Sequence, residues 1–117
     1  MYIKHILGKL GEDLVEKYLI DKNYKIIERN FRGSKGEIDI IAKDKDEYVF
    51  IEVKTRSSVI CGRPSEAVDK LKKKHLIQTI KYYLYLNKLE DRNIRIDVIE
   101  VYISKNNVWI NHIKQII

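Results

Sequence analysis

Two segments, Glu37-Ile38-Asp39-Ile40-Ile41-Ala42 and Val49-Phe50-Ile51-Glu52-Val53-Lys54-Thr55-Arg56, lie either side of a short charged stretch, Lys43 to Glu47, and both are rich in β-branched residues. That pattern predicts an antiparallel hairpin. With Lys45 and Asp46 as a two-residue turn, the register sets Asp39 opposite Glu52 and Glu37 opposite Lys54. Alternation then sends these four side chains to one face. It sends Ile38, Ile40, Ala42, Val49, Ile51 and Val53 to the other, which is the expected buried side.

The charged face is the anomaly. Carboxylates directly opposed on neighbouring strands have Cβ atoms only about 4.5–5.5 Å apart and repel, so Asp39 and Glu52 destabilise the hairpin unless a cation sits between them. Oxygen ligands with no His or Cys among them favour Mg²⁺ or Mn²⁺ over Zn²⁺, and Mg²⁺ takes few carboxylates, keeps waters and binds substrate phosphates. A solvated or salt-bridged acidic face is the plainer alternative. Lys54 has two readings as well: a cation for a scissile phosphate or its attacking water, or the ion-pair partner of Glu37.

An acidic residue on one strand followed by Glu-x-Lys on the next, here Asp39 with Glu52-Val53-Lys54, resembles the PD-(D/E)xK nuclease superfamily. The Pro of that label is replaced by Ile38. More widely, Asn30-Phe31-Arg32, Gly36-Glu37-Ile38-Asp39 and Phe50 to Arg56 resemble the YraN-like (UPF0102) family, whose members are largely uncharacterised. That family is similar to archaeal Holliday-junction resolvases. The resemblance implies a restriction-endonuclease-like fold and Mg²⁺-dependent hydrolysis of phosphodiester bonds in DNA, including branched or structured DNA. Asp39 and Glu52 are the implied metal ligands, helped by the Val53 carbonyl and by Glu12 or Glu37, with Lys54 beside them.

Upstream, Leu7, Leu10, Leu14 and Tyr18, with Val15 and Leu19 beside them, follow helical spacing, and Asp21-Lys22-Asn23 closes the segment. Glu12 lies on the flank of that helix. The junction-resolvase resemblance selects it as the helix glutamate near the metal, whereas its wheel position fits a rim charge equally. Gly8 and Gly11 on the inward side suggest close approach of the backbone to the sheet or a ligand. Tyr24 to Phe31 reads as a first strand with an irregularity near Ile26-Ile27. Arg32-Gly33-Ser34-Lys35-Gly36 then turns, and its Arg32 and Lys35 are candidate phosphate contacts in what is otherwise an ordinary turn composition.

Ser57 to Pro64 lacks periodicity and reads as a loop, flanked by Arg56 and carrying Arg63, both candidates to clamp a substrate backbone. A second helix is expected from an N-cap at Ser65 to about Leu86 or Asn87. One stripe comprises Ala67, Val68, Leu71, Tyr82, Tyr85, Leu86 and Leu89, and a second Ile77, Ile80 and Leu84. Gln78, inside the first stripe, predicts a polar pocket beneath the helix. With Tyr82 it resembles the Gln-x-x-x-Tyr element of some nucleases of the superfamily, which implies a catalytic role for Gln78, the alternative being a satisfied core amide. Lys72, Lys73 and Lys74 crowd the first turns against the helix dipole, where an anion would relieve them, and are candidate nucleic-acid contacts together with Tyr82.

Ile94 to Ile103 and Asn107 to Ile113 predict a further pair of strands. Asp97 and Glu100 fall on opposite faces by their odd separation, and His5, His75 and His112 show no metal-ligand spacing. The element order αβββαββ is that of an α/β protein with a mixed sheet of about five strands flanked by two helices, a single domain spanning 1–117. A net charge of +6 favours a polyanionic partner, although proteins that never touch nucleic acid also carry such a balance; DNA as that partner is what the resemblance implies. One cysteine, Cys61, excludes an intrachain disulfide, and the absence of a signal-peptide or membrane-spanning pattern makes the cytoplasm the expected compartment with no membrane partner. Two rivals stand beside the nuclease: a non-catalytic nucleic-acid-binding module of the same fold, and a protein-interaction domain using its tyrosines. The resemblance to dimeric resolvases implies a homodimer.

Overall fold

The computed structural model describes residues 2–57 and 70–116. Its elements are α1 (Tyr2–Asp21), β1 (Lys25–Arg32), β2 (Glu37–Asp44), β3 (Glu47–Ser57), α2 (Lys70–Leu86), β4 (Ile94–Ile103) and β5 (Val108–Ile113). The strands form one sheet in the order β1-β2-β3-β4-β5. Only β3 and β4, joined through α2, run parallel; the other neighbours are antiparallel. This αβββαββ mixed sheet is the restriction-endonuclease-like architecture the resemblance implies.

Both helices end alike. After α1, Asn23 takes a left-handed φ of 70°, the Asn23 N–H donates to the Ile20 carbonyl and the Tyr24 N–H to that of Leu19. After α2, Lys88 (φ 55°) and Leu89 repeat this geometry on Tyr85 and Leu84. Each closure tucks an apolar residue, Tyr24 or Leu89, back onto the helix's own buried face.

The sheet has a core on each face. Val15, Leu19 and Tyr24 pack on Ile40, Ala42, Val49, Ile51, Ile99 and Val101 on the α1 side. Leu76, Ile80, Tyr83 and Leu84 of α2 pack on Ile38, Ile41, Phe50 and Ile96. Burying each of the larger of these side chains stabilises the fold by roughly 1.5–3 kcal/mol. The strand residues alternate between the two cores, which is why β2 and β3 read as nearly continuous apolar runs.

The hairpin forms in the expected register, from Asp44↔Glu47 to Ile40↔Ile51. Lys45 supplies the left-handed residue of its turn (φ 56°). The irregularity near Ile26-Ile27 is a register shift in β1 between Ile26 and Glu28.

Three expectations need correction. Ile38 does not share a face with Ile40; it packs in the α2 core. Asn30, at a left-handed φ of 54°, breaks alternation in the facing strand, so Arg29 turns to α1 while Phe31, paired with Ile38, turns to α2. The first of the two stripes expected on α2 faces outward, with Leu71, Tyr82, Tyr85 and Leu86 exposed, whereas Ile80 and Leu84 of the second are buried together with Leu76, Thr79 and Tyr83. The glycines of α1 also differ. A Cβ on Gly11 would run into Thr55 Oγ1, the expected close approach, but one on Gly8 would meet nothing within 4 Å. The expected cap at Ser65, with Cys61, Arg63, Ala67 and Val68, lies outside the described residues.

Candidate metal and phosphodiester site

Past Ile40↔Ile51 the β2–β3 ladder gives way to a side chain: the Val53 N–H donates to Asp39 Oδ2 at 2.8 Å. Phe50 lies in the α2 core, so alternation carries Glu52, Lys54 and Arg56 along the same side of β3. Asp39 meets Glu52 there. Burial pushes the Asp39 carboxyl up, Glu52 adds to this as hydrogen-bonding neighbour and second negative charge, and the carboxyl stands at about 8. The Val53 amide and the Lys72 ammonium of α2 pull the other way without prevailing. Two carboxylates meeting in a largely buried setting thus favour a proton where a hard cation would serve the same electrostatic purpose.

The remaining acidic candidates are engaged elsewhere. Glu12 Oε1 accepts from Arg29 Nη2 and from Asn30 Nδ2, both at 3.2 Å. Arg29 also binds Asp13 at 2.8 Å and Glu16 at 3.0 Å. Burial would lower its pKa, but the three carboxylates outweigh that and raise it. Glu12 therefore stands at an acidic clamp on the α1 face. Glu37 does not face Lys54; it pairs with Arg32 at 2.8 Å across β1–β2. Lys54 makes no ion pair among the described residues, which removes its structural alternative. Among the described residues no three His, Cys, Asp or Glu side chains are placed to hold one metal ion together, and Glu12 and Glu37 are engaged by arginines rather than joined to Asp39 and Glu52.

Gln78 is only half-buried, and the polar pocket expected beneath α2 is replaced by Thr79. Its buried hydroxyl donates to the helix's own His75 carbonyl at 2.7 Å. Tyr82 is exposed and leans on Phe31 with ring centroids 6.0 Å apart. The Arg32–Lys35 turn packs on this helix: Cβ atoms added to Gly33 and Gly36 would come within 4 Å of Thr79, Tyr82 and His75. Exposed Lys35, Lys72, Lys73 and Lys74 therefore fall on two adjoining segments. Arg56, the last of the side chains along β3, pairs with Glu100 at 3.3 Å.

Sequence reasoning missed a buried polar assembly on the α1 face. Asp97, fully buried, accepts from Arg95 Nε at 3.0 Å and from the Gln115 N–H at 3.0 Å, and lies 2.7 Å from His112 Nε2. With that nitrogen donating, His112 Nδ1 accepts the Tyr18 hydroxyl at 2.9 Å. Arg95 also reaches Asp44, Glu47 and the Tyr24 hydroxyl. Burial pushes Asp97 up, but His112, Arg95 and the Gln115 amide together hold it below the ordinary carboxylate range. The available signal was Arg95-Ile96-Asp97, two opposite charges on one face of an apolar strand. His112 belongs to this assembly on the α1 face, three strands across the sheet from Asp39.

Residues 11–101 match the model of the uncharacterised protein family UPF0102. The chain belongs to that family. A UPF0102 protein of Clostridioides difficile (strain 630) is 47% identical over 106 residues, covering 91% of each chain. One of Caldanaerobacter subterraneus is 40% identical over 114 residues, covering 97% of this chain and 93% of the relative. Among solved structures, the UPF0102 chain is similar to SSO0001 (20% identity, TM-score 0.39) and to Pyrococcus furiosus SfsA in complex with Ca²⁺ (14% identity, TM-score 0.42). It covers 96% and 95% of itself in these alignments but spans 52% and 63% of those two chains. No helix among the described residues is long and apolar enough to cross a membrane.

Proposed function

We propose that this UPF0102 chain is a metal-dependent endonuclease that hydrolyses phosphodiester bonds in DNA, with Mg²⁺ or Mn²⁺ as its cofactor. One observation carries the reading: Asp39 and Glu52 meet at the β2–β3 fork, under a mutual repulsion that a hard divalent ion would relieve. The donor set fits that ion, since Asp39, Glu52 and the Val53 carbonyl are all oxygen ligands. When bound, the ion supplies Lewis acidity and a water acidified toward neutral pH.

The chain's own residues do the rest. The Val53 amide fixes the orientation of the Asp39 carboxylate. Lys54, two residues past Glu52 on the same side of β3 and without an ion pair among the described residues, offers its ammonium to the attacking water or to charge developing on the phosphoryl oxygens. Lys72, Lys73, Lys74 and Lys35 offer exposed charge to flanking phosphates. Arg32 and Arg56 can add to this only by sharing themselves with Glu37 and Glu100.

The test is a panel of labelled branched, flapped, single-stranded and duplex DNAs incubated with the purified protein in Mg²⁺, Mn²⁺ or EDTA. Cleavage should require the metal and vanish in Asp39→Ala and Glu52→Ala proteins whose circular dichroism is unchanged. Cleavage that survives either substitution refutes the mechanism. Salt-sensitive binding with no cleavage of any substrate would instead identify a non-catalytic binding module.

A further inference from the structure

Beyond the carboxylate fork, the same side of β3 continues to a second cluster. Arg56 is in register with Tyr102 of β4, and Tyr102 with Trp109 of β5. The two rings stack with centroids 4.0 Å apart and planes within 6° of parallel. With Arg56, Ser57, Ile103 and Ser104 they line an open groove of about 270 Å³. Trp109 is 55% exposed, so one face of its indole rests on Tyr102 and the other is open.

The cluster is built rather than incidental. Glu100 holds it together: its carboxylate accepts from Arg56 at 3.3 Å, the Tyr102 hydroxyl at 3.2 Å and Asn111 at 3.0 Å. The Asn111 bond and the Arg56 charge hold that carboxyl below its usual range, so the groove carries a fixed, internally paired charge beside a stacked aromatic surface. Arg56 lies four positions beyond Glu52, about 13 Å along an extended strand.

We propose that Tyr102 and Trp109 form a stacking platform for an unpaired nucleobase of the strand whose backbone reaches the Asp39–Glu52 site; this rests on the nuclease reading above. Three observations select that occupant. The open ring face suits any base, paired bases being unavailable to it. Lys54, nearer the fork and without an ion pair among the described residues, suits the phosphates of the same strand, with Arg56 shared between them and Glu100. A second copy of this chain fits poorly, because each copy carries a net charge of +6 and would set Lys105, in the turn after β4, against its own kind. The substrate class that follows is a nucleic acid with single-stranded character beside the cut, such as a flap, a gap or a junction arm opened at its branch point.

Trp109 is the chain's only tryptophan, which gives a readout independent of catalysis. The full chain in EDTA is titrated with a short single-stranded oligodeoxynucleotide and with the blunt duplex of the same sequence, following Trp109 emission and the anisotropy of a labelled strand. Quenching by the single strand, with affinity about tenfold or more above the duplex, is expected. Trp109→Ala should weaken single-strand binding about tenfold and leave duplex binding unchanged, and Trp109→Phe should restore most of it. No quenching, equal quenching by duplex, or unchanged single-strand affinity in Trp109→Ala overturns the proposal. So does light scattering in which Trp109→Ala abolishes self-association and nothing else. If Trp109→Ala fails to fold by circular dichroism, the wild-type quenching and the Phe variant decide. Quenching without cleavage in Mn²⁺ would remove the nuclease reading and leave the platform; cleavage without quenching would do the reverse.

Discussion

Replacing Asp39 with asparagine should make the metal-free protein more stable, not less. In the unfolded chain this carboxyl loses its proton near its ordinary value of 3.8; in the fold, burial and the Glu52 charge push it up to about 8. The native state therefore binds the proton more tightly than the unfolded state. The stability this contributes is complete below the unfolded value and is lost as pH rises through the window up to the folded one. Each pH unit inside that window removes about 1.4 kcal/mol, so by pH 7 the site has given up about 4 kcal/mol as an upper figure. That is a large share of the roughly 5–15 kcal/mol that holds a small domain together. Asparagine keeps an oxygen for the Val53 N–H and has no proton to lose.

The assay is urea unfolding in EDTA, followed by Trp109 emission and circular dichroism at pH 5 and pH 7.5. Wild-type stability should fall between the two pH values, with Asp39→Asn falling less and exceeding wild type at pH 7.5. Adding Mn²⁺ should then raise wild-type stability by its binding free energy and leave the variant unmoved. If Asp39→Asn is the less stable protein at pH 7.5 in EDTA, or Mn²⁺ stabilises both equally, the electrostatic account of the fork is wrong.

The two glycines of α1 should respond oppositely to alanine. Gly8→Ala meets open space and should gain about 0.5–1 kcal/mol from helix propensity, whereas Gly11→Ala drives a methyl into Thr55 and should lose about 1–3 kcal/mol, as thermal unfolding will report. Asp97→Ala strands the buried Arg95 guanidinium and removes the acceptor of His112, a loss of about 3–5 kcal/mol in urea unfolding at pH 7. Arg29→Met leaves Glu12, Asp13 and Glu16 without their shared cation. Arg29 holds Asp13 below the ordinary carboxylate range, so this stability is present above that range and lost as pH falls; the variant's deficit should shrink between pH 7 and pH 3.

What could be read in the chain, and what could not, divides along a physical line. The β2–β3 hairpin was legible because its alternation is two-sided and its turn short, so a slip of one residue would turn the charged side chains of β3 into the α1 core. The rotation of α2 was not legible, since Leu71, Leu76, Ile77, Ile80 and the Tyr82–Leu86 run surround the wheel, and only packing on Ile41 and Phe50 chooses a side. The crossing of Phe31 and Ile38 to the α2 face depends on the left-handed φ of Asn30, which a short amide side chain permits but does not dictate. For the acidic candidates, sequence spacing sets Asp39 and Glu52 opposite one another, one step past the last ladder pair Ile40↔Ile51. It cannot say that Glu12 and Glu37 find arginines first, because Arg29 and Arg32 reach them only after β1 folds back beside α1 and β2.

The same crossing explains how the fold tolerates a repulsive pair. Asp39 sits between Ile38 and Ile40, both fully buried, but in opposite cores: Ile38 is anchored under α2 and Ile40 under α1. A backbone pinned from both sides at adjacent residues cannot swing its carboxyl away from Glu52 without emptying one core or the other, and deleting either isoleucine's packing would forfeit about 2–5 kcal/mol. Relaxation of the carboxylates by backbone movement is therefore about as unfavourable as the repulsion it would relieve, so the strain stays in the site. Under the proposed function, a cation bound between the two carboxylates would meet ligands already held in place and would recover electrostatic energy without ordering the chain, as a site preorganised for an ion requires.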